Sequence, residues 1–360
     1  MSPLLKSRDL PVPPPARQAA GGRPPRAGSE GLDKLGATGG HFSRRGFLGT
    51  SAGAAALLGL SGCGSSSSPA SSSSPTGGHA SGSRTVATLH GDVKVPADPQ
   101  RIVALQFPEA CALLDVGVRY VGRPDYMPAF DTYTKADASV ARVVDTSGAP
   151  DLEKIAGLRP DLIITSDWKD PKLQQQPYAR LAEIAPTLVF EWQKAAGNWR
   201  AEAVATAAAV GRTARLDALK KSYADACASI RSQYAKVLAA TRWDLVDGNG
   251  SVWDLYGPNS SHGRVLVDAG VRLAAGATQK DGFVEHSLED MSSLLGGTDV
   301  LFTTGVSLAK LRTEQVFKKL PAVQHSDVFT SDLFFPASYG IAIALLADVR
   351  KVCARLATRI

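Results

Sequence analysis

Two α/β lobes on either side of an Ala-rich helical stretch are what this 360-residue sequence predicts. Three observations carry that expectation. The chain is long for one compact domain and long enough for two of ordinary size. From residue 84 onward, short β-branched runs alternate with helix-patterned segments, as in parallel sheets with crossover helices. Residues 198–240 interrupt the alternation once, with a segment that reads as helix almost throughout.

In chain order, residues 1–62 form a leader. Ser43-Arg44-Arg45-Gly46-Phe47-Leu48 has the form of a twin-arginine export signal, with Arg44 and Arg45 as its signal residues. The apolar run Gly46–Leu60 is shorter than the roughly 20 residues of a permanent membrane span, and rich in Gly and Ala. It ends in Leu60-Ser61-Gly62-Cys63, which has the form of a lipobox, so Cys63 is the expected lipidation site and mature N-terminus. A chance cysteine after an apolar run is the plainer alternative, but it leaves the twin Arg, the apolar run and the small residues in register unexplained. Residues 63–85, with two Ser tetrads, have nothing to bury and read as a flexible tether.

Charge excludes one class of partner. Residues 1–62 hold eight Lys/Arg against three acids, leaving 32 basic and 31 acidic residues in the remainder. The leader therefore carries +5 of the formal +6, and the mature protein has almost no field to attract nucleic acid. Cys111, Cys227 and Cys353 lie in apolar helical patterns with no CxxC pair and read as buried free thiols. The six His are scattered without HxH or HExxH spacing, so no metal site is expected.

The N-terminal lobe, residues 86–197, has strand-like runs at 101–106, 120–122, 161–166 and 187–190. Pro108 opens a helix that stops before Gly117, and Asp151 is placed to cap its own helix. Residues 198–240 are the linking helices, bent near Gly211, with one helix of about 40 Å expected. The C-terminal lobe, residues 241–360, has strands at 243–246, 251–256, 299–303 and 327–330, and helices near 260–269, 288–295 and 337–357.

Several motifs then fall in one order. The first lobe has Pro99-Gln-Arg-Ile-Val103, Leu113-Leu-Asp-Val-Gly117, Pro150-Asp-Leu-Glu-Lys-Ile155 and Leu158-Arg-Pro-Asp-Leu-Ile-Ile164. The second has Tyr256-Gly-Pro-Asn-Ser-Ser261, Leu266-Val-Asp-Ala-Gly-Val271, Ser287-Leu-Glu-Asp-Met291, Asp299-Val-Leu-Phe302 and Leu320-Pro-Ala-Val323. With these, residues 95–358 resemble the iron-siderophore substrate-binding proteins of ABC transporters, the group related to ferric-hydroxamate and cobalamin binders.

That resemblance implies two α/β lobes joined by a long rigid helix, with a ligand cleft between them and only small lobe motions. It implies an Fe(III)-siderophore as ligand and no cofactor. It also implies a monomer, lipid-anchored on the extracytoplasmic face of the cell membrane, that docks on an ABC permease dimer. Energy would come from a separate cytoplasmic ATPase, since the chain has no GxxxxGK[ST] loop. The docking residues carried over are Glu153 and Glu289, for which helix-macrodipole stabilisation is the alternative.

A chelate whose iron is already coordinated needs stacking surface and a few hydrogen bonds, so aromatic and Arg residues at strand ends are the ligand-binding candidates. They are Phe107, Arg123, Tyr126, Trp168, Trp192, Tyr256, Arg264, Phe283 and Phe334; lobe packing or a solvated surface charge is the alternative for each. With only two Arg among them, a near-neutral hydroxamate or mixed chelate is favoured over a tri-catecholate. Haem or cobalamin is the rival ligand, with Tyr126, Tyr256 and His286 as axial possibilities for haem. A secreted hydrolase is the remote alternative: Pro336-Ala-Ser-Tyr-Gly340 approaches GxSxG, but Pro replaces the first Gly and no Asp then His follows Ser338.

Overall fold

The structure, a computed structural model, describes residues 82–145, 147–168, 174, 176–192 and 199–360. Arg44, Arg45, Cys63 and the leader lie outside the described residues, as do the side chains of Trp168 and Trp192.

The folded body opens with an antiparallel hairpin, β1 (Ser83–Thr88) and β2 (Gly91–Pro96), turned at Gly91 with φ +95°. Ser83, Arg84 and Thr85, which composition assigns to the tether, are therefore strand residues. The Arg84 guanidinium donates to the carbonyls of Ala97 and Ala208, the latter at 2.9 Å. The Leu89 amide donates to Val189 at 2.8 Å, which fastens the hairpin to the first sheet.

That sheet is parallel, in the order β5-β4-β3-β6-β7. Its strands are β3 (Ile102–Ala104), β4 (Gly122–Arg123), β5 (Ala141–Arg142), β6 (Leu162–Trp168) and β7 (Thr187–Trp192). Helices α1 (Phe107–Asp115), α2 (Asp131–Asp137), α3 (Leu152–Gly157) and α4 (Tyr178–Ala182) alternate with them. Parallel strands are covered on both faces and so read as unbroken apolar runs. Ile102, Val103, Leu162, Ile163 and Ile164 are accordingly fully buried. Asp151 caps α3 by accepting from the Lys154 amide at 3.0 Å.

The helical stretch divides into α5 (Trp199–Ala209), α6 (Thr213–Gln233) and α7 (Ala235–Ala240). Gly211, at φ +67°, ends α5, and a Cβ there would meet the Arg84 guanidinium at 2.5 Å. The longest piece has 21 residues, about 31 Å, shorter than the 40 Å expected because the chain breaks again at Tyr234.

The second sheet runs β10-β9-β8-β11-β12: β8 (Trp243–Gly248), β9 (Val252–Tyr256), β10 (Phe283–Ser287), β11 (Val300–Thr303) and β12 (Val328–Thr330). It is mixed, not wholly parallel as the alternation suggests: β9 and β10 are antiparallel. The turn from β8 to β9, at Asn249 to Ser251 with Gly250 at φ +92°, is too short for a crossover. Around the sheet lie α8 (Ser261–Asp268), α9 (Met291–Leu295), α10 (Gly305–Leu311), α11 (Gln315–Lys318), α12 (Pro321–Gln324) and α13 (Tyr339–Leu356).

One apolar core runs through both lobes, from Ile102 and Leu162 through Trp199 and Tyr223 of the linking helices to Trp243, Phe302 and Leu345. Cys111, Cys227 and Cys353 are buried free thiols, their pKa values raised chiefly by burial.

Candidate functional site

Open α/β sheets bind ligands beyond the carboxyl ends of their strands. In the first lobe, β3 leads directly into α1 at Phe107, and β4 leads to Tyr126. The two rings meet edge to face at 5.5 Å; Phe107 is half-buried and Tyr126 is 44% exposed. Arg123 points elsewhere. Its Nε pairs with Asp137 at 2.9 Å and donates to the Val140 carbonyl, and its Nη1 donates to the Pro124 carbonyl. Asp137 also accepts from the Tyr120 hydroxyl at 2.8 Å, so Arg123 is occupied in holding α2 against the sheet. Trp168 and Trp192 end β6 and β7 directly opposite one another in register.

In the second lobe, Tyr256 ends β9 opposite Phe283 of β10, with the rings 5.6 Å apart. Phe334 is buried, 4.0 Å from His262 and 5.9 Å from Phe302. The ring that reaches solvent is its neighbour Phe335, 44% exposed, supported by Phe334 at 4.8 Å, His262 at 5.2 Å and Tyr256 at 5.8 Å. Of the two adjacent rings it is therefore Phe335, and not the nominated Phe334, that reaches the surface.

A small apolar cluster joins these two walls. Cys111, Tyr133, Ala337 and Ile341 are buried together, with Phe107, Met127 and Leu333 packed on them. The Phe107–Tyr126 pair thus lies beside the loop that carries Phe335, along a seam between the lobes.

Arg264, on α8, is half-buried. Its Nη2 donates to Asn259 at 3.2 Å, its Nε has no partner, and no carboxylate pairs with it among the described residues. The turn before α8 is tight: Ser260 caps Gly263 at 2.9 Å, and a Cβ on Gly263 would lie 2.1 Å from the Gly257 carbonyl oxygen. Only glycine fits there.

Pairing of β8, β9 and β10 produces a feature absent from any local pattern. Asp247 lies directly opposite Asp254, and Asp254 directly opposite Glu285. By alternation these carboxyls share the sheet face of Tyr256 and Phe283. Like charges facing across strands oppose one another. Burial first, then Asp247 and Glu285, push Asp254 up to about 6, partly offset by the Tyr256 hydroxyl. His286, by contrast, lies against Trp253 at 5.0 Å, on the opposite face.

The two Glu carried over for docking are both exposed, Glu153 in the first turn of α3 and Glu289 in the 3-10 turn Leu288–Asp290. Ser338 is not a nucleophile elbow. It is wholly buried, caps the first turn of α13 at Ile341, and lies 2.7 Å from the Tyr133 hydroxyl.

Comparison with known proteins fits this geometry. The chain is 36% identical over 149 residues to the probable siderophore-binding lipoprotein YfiY of Bacillus subtilis, a match covering 40% of this chain and 42% of that protein. It is 25% identical over 300 residues to the iron(3+)-hydroxamate-binding protein YxeB of Bacillus subtilis, covering 78% of this chain and 88% of that one. In the first of these the chain spans about two-fifths of the relative's length. Among solved structures, the siderophore periplasmic binding protein from the fuscachelin gene cluster of Thermobifida fusca superimposes with a TM-score of 0.63 at 24% identity, over 72% of this chain and 98% of that one, a likeness of fold. The periplasmic binding protein family matches residues 111–332, which take in the second sheet, the first sheet apart from β3 and the helices between them, and the chain belongs to that family.

Proposed function

We propose that this protein is the extracytoplasmic substrate-binding component of an ABC importer that captures a ferric siderophore and hands it to a membrane permease dimer served by a separate ATPase. The observation that carries the reading is the apolar cluster that joins the lobes, with an exposed ring close by in each: Tyr126, edge to face with Phe107 of that cluster, and Phe335, two residues from Leu333 and Ala337 of it. A large, partly apolar chelate is held by such rings, and its iron asks nothing further of the protein. The names of YfiY and YxeB support the same class.

Charge narrows the chelate. Arg264 is one uncompensated cation, while Asp247, Asp254 and Glu285 form an acidic row on the face of Tyr256 and Phe283. A tri-catecholate complex of about three negative charges is repelled by that row. A near-neutral hydroxamate or mixed chelate is not. Export through Arg44 and Arg45 and anchoring through Cys63 complete the reading, and would hold the protein at the outer face of the cell membrane.

Tryptophan quenching of the purified protein tests it, with ferric hydroxamate, ferric catecholate, haemin and cobalamin titrated in turn. Saturable quenching by a ferric hydroxamate is expected, weakened about tenfold or more in Tyr126→Ala and Phe335→Ala. A response to haemin or cobalamin alone replaces the siderophore with that ligand, and a preference for the catecholate overturns the charge argument.

A further inference from the structure

Two buried carboxyls lie together where α1 packs on α5. Glu109, in the first turn of α1, is wholly buried, and Glu202 on α5 is 5% exposed. Glu202 Oε2 has no hydrogen-bond partner, and the carboxyl of Glu109 has only the nearby Ser166 hydroxyl, without a well-formed hydrogen bond to it. The Ser166 hydroxyl on β6, beside Glu109, and that of Thr206, one turn along α5 from Glu202, are equally buried, and neither makes a well-formed hydrogen bond. Buried polar groups are normally satisfied, so this concentration of orphans at one junction calls for a cause. Two adjacent carboxyls out of water cannot both be ionised.

The junction matters because of what each helix carries. α1 begins at Phe107, whose ring belongs to the interlobe seam. α5 begins at Trp199, whose indole donates across to the Ser261 carbonyl at the start of α8 at 3.4 Å. Separation of α1 from α5 therefore moves a wall of the seam relative to a contact between the lobes.

We propose that Glu109 and Glu202 form a proton-operated hinge. Kept neutral, the pair lets α1 lie against α5. Loss of a proton to solvent leaves a buried carboxylate that drives the helices apart and weakens the lobes' grip on the ligand. The inference rests on the siderophore-binding reading above.

Burial raises Glu109 to about 7, and burial together with Glu109 raises Glu202 well above the ordinary carboxylate range. The first proton thus leaves near neutral pH. Other titratable and charged groups facing this junction are engaged elsewhere. On α1, Asp115 accepts from Tyr133 and from the Gly340 amide. Asp137 on α2 holds Arg123 and Tyr120, and Asp167 on β6 accepts from the Gln176 amide. Arg200 of α5 and Tyr223 of α6 share Asp268, and Tyr339 of α13 packs edge-on against Trp199. The thiols of Cys111 and Cys227 are themselves pushed up by burial.

The test is the affinity of the purified protein for a ferric trihydroxamate between about pH 5.5 and about pH 8.5, read by tryptophan quenching. If ligand binding shifts the pair's titration by about one unit, the dissociation constant rises about tenfold across that range. Glu109→Gln, which copies the protonated acid, is expected to bind tightly at every pH, and Glu202→Gln is the second variant should the first fail to fold. Infrared spectra of the ligand-free protein should show a protonated-carboxyl band that loses part of its intensity near neutral pH, and that step should be absent in the variants. A chelate bound equally well at every pH overturns the hinge alone, as does a variant as pH-sensitive as the wild type or the lack of that titrating band. If no ferric chelate binds at any pH, the siderophore reading falls and the hinge falls with it.

Discussion

His262 shows how an environment of rings, without any ionic partner, fixes a side chain's charge. It is wholly buried, 4.0 Å from Phe334 and 4.5 Å from Tyr256, and its Nε2 has no partner. Burial depresses its pKa to about 3. The unfolded imidazole takes up a proton near pH 6.5 and the folded one does not. The stability it permits is therefore complete above about pH 6.5 and falls as pH drops toward 3, by about 1.4 kcal/mol per unit. His262→Phe, measured by urea unfolding, should narrow the stability difference between pH 7 and about pH 4.5 by about 2 kcal/mol; an unchanged difference would contradict this. Glu109 acts in the opposite sense, since its raised pKa favours the folded state in acid and that contribution is lost as pH rises through about 7. At this scale the sequence was partly legible. Aromatic residues could be nominated near strand ends, but within Leu333-Phe334-Phe335-Pro336 nothing local says which ring turns outward. That depends on His262 and Tyr256, which occupy the space beneath.

Elements were legible where their own pattern decides them and illegible where a distant partner does. The central strands announce themselves because both faces are buried, and α1 and α3 because Pro108 and Asp151 mark their starts. The strand β10, Phe-Val-Glu-His-Ser, is half-exposed at the sheet edge and exists through its pairing with β9. The β1–β2 hairpin likewise depends on Arg84 reaching Ala208, 124 residues away. The contact between α1, α2 and α13 is of the same kind. Tyr133, 1% exposed, donates to Asp115 and lies 2.7 Å from Ser338 Oγ, while the Gly340 amide donates to Asp115 at 2.7 Å. Tyr133→Phe leaves a buried carboxyl and a hydroxyl short of a partner and should cost about 1–3 kcal/mol in urea unfolding. Gly340→Ala should cost more, because its Cβ would lie 2.3 Å from Asp115 Oδ1. If Gly340→Ala proved as stable as the wild type, this contact would not hold the helices together.

For the whole molecule, the decisive property is that both lobes share one core. Residues of the first sheet, the linking helices, the second sheet and α13 belong to a single buried cluster. Trp199 bonding to Ser261, and Arg200 to Asp268 at 2.5 Å, add polar ties from α5 to α8. A body built this way resists large hinge closure, so the separation between exposed groups on the two lobes is set before any partner arrives. Under the proposed docking role, Glu153 and Glu289, one on each lobe and both exposed, would be a preorganised pair that a permease reads with little entropy lost on docking. Neither carboxylate belongs to the seam, so capture and delivery should separate on mutation. Glu153→Ala combined with Glu289→Ala should leave the affinity for the ferric chelate within about twofold. Uptake by intact cells should fall by more than about tenfold, since each Glu truncated at a charge-paired interface costs about 2 kcal/mol or more. Uptake undiminished in the double variant would remove both residues from docking, and affinity lost along with uptake would move them into the binding site.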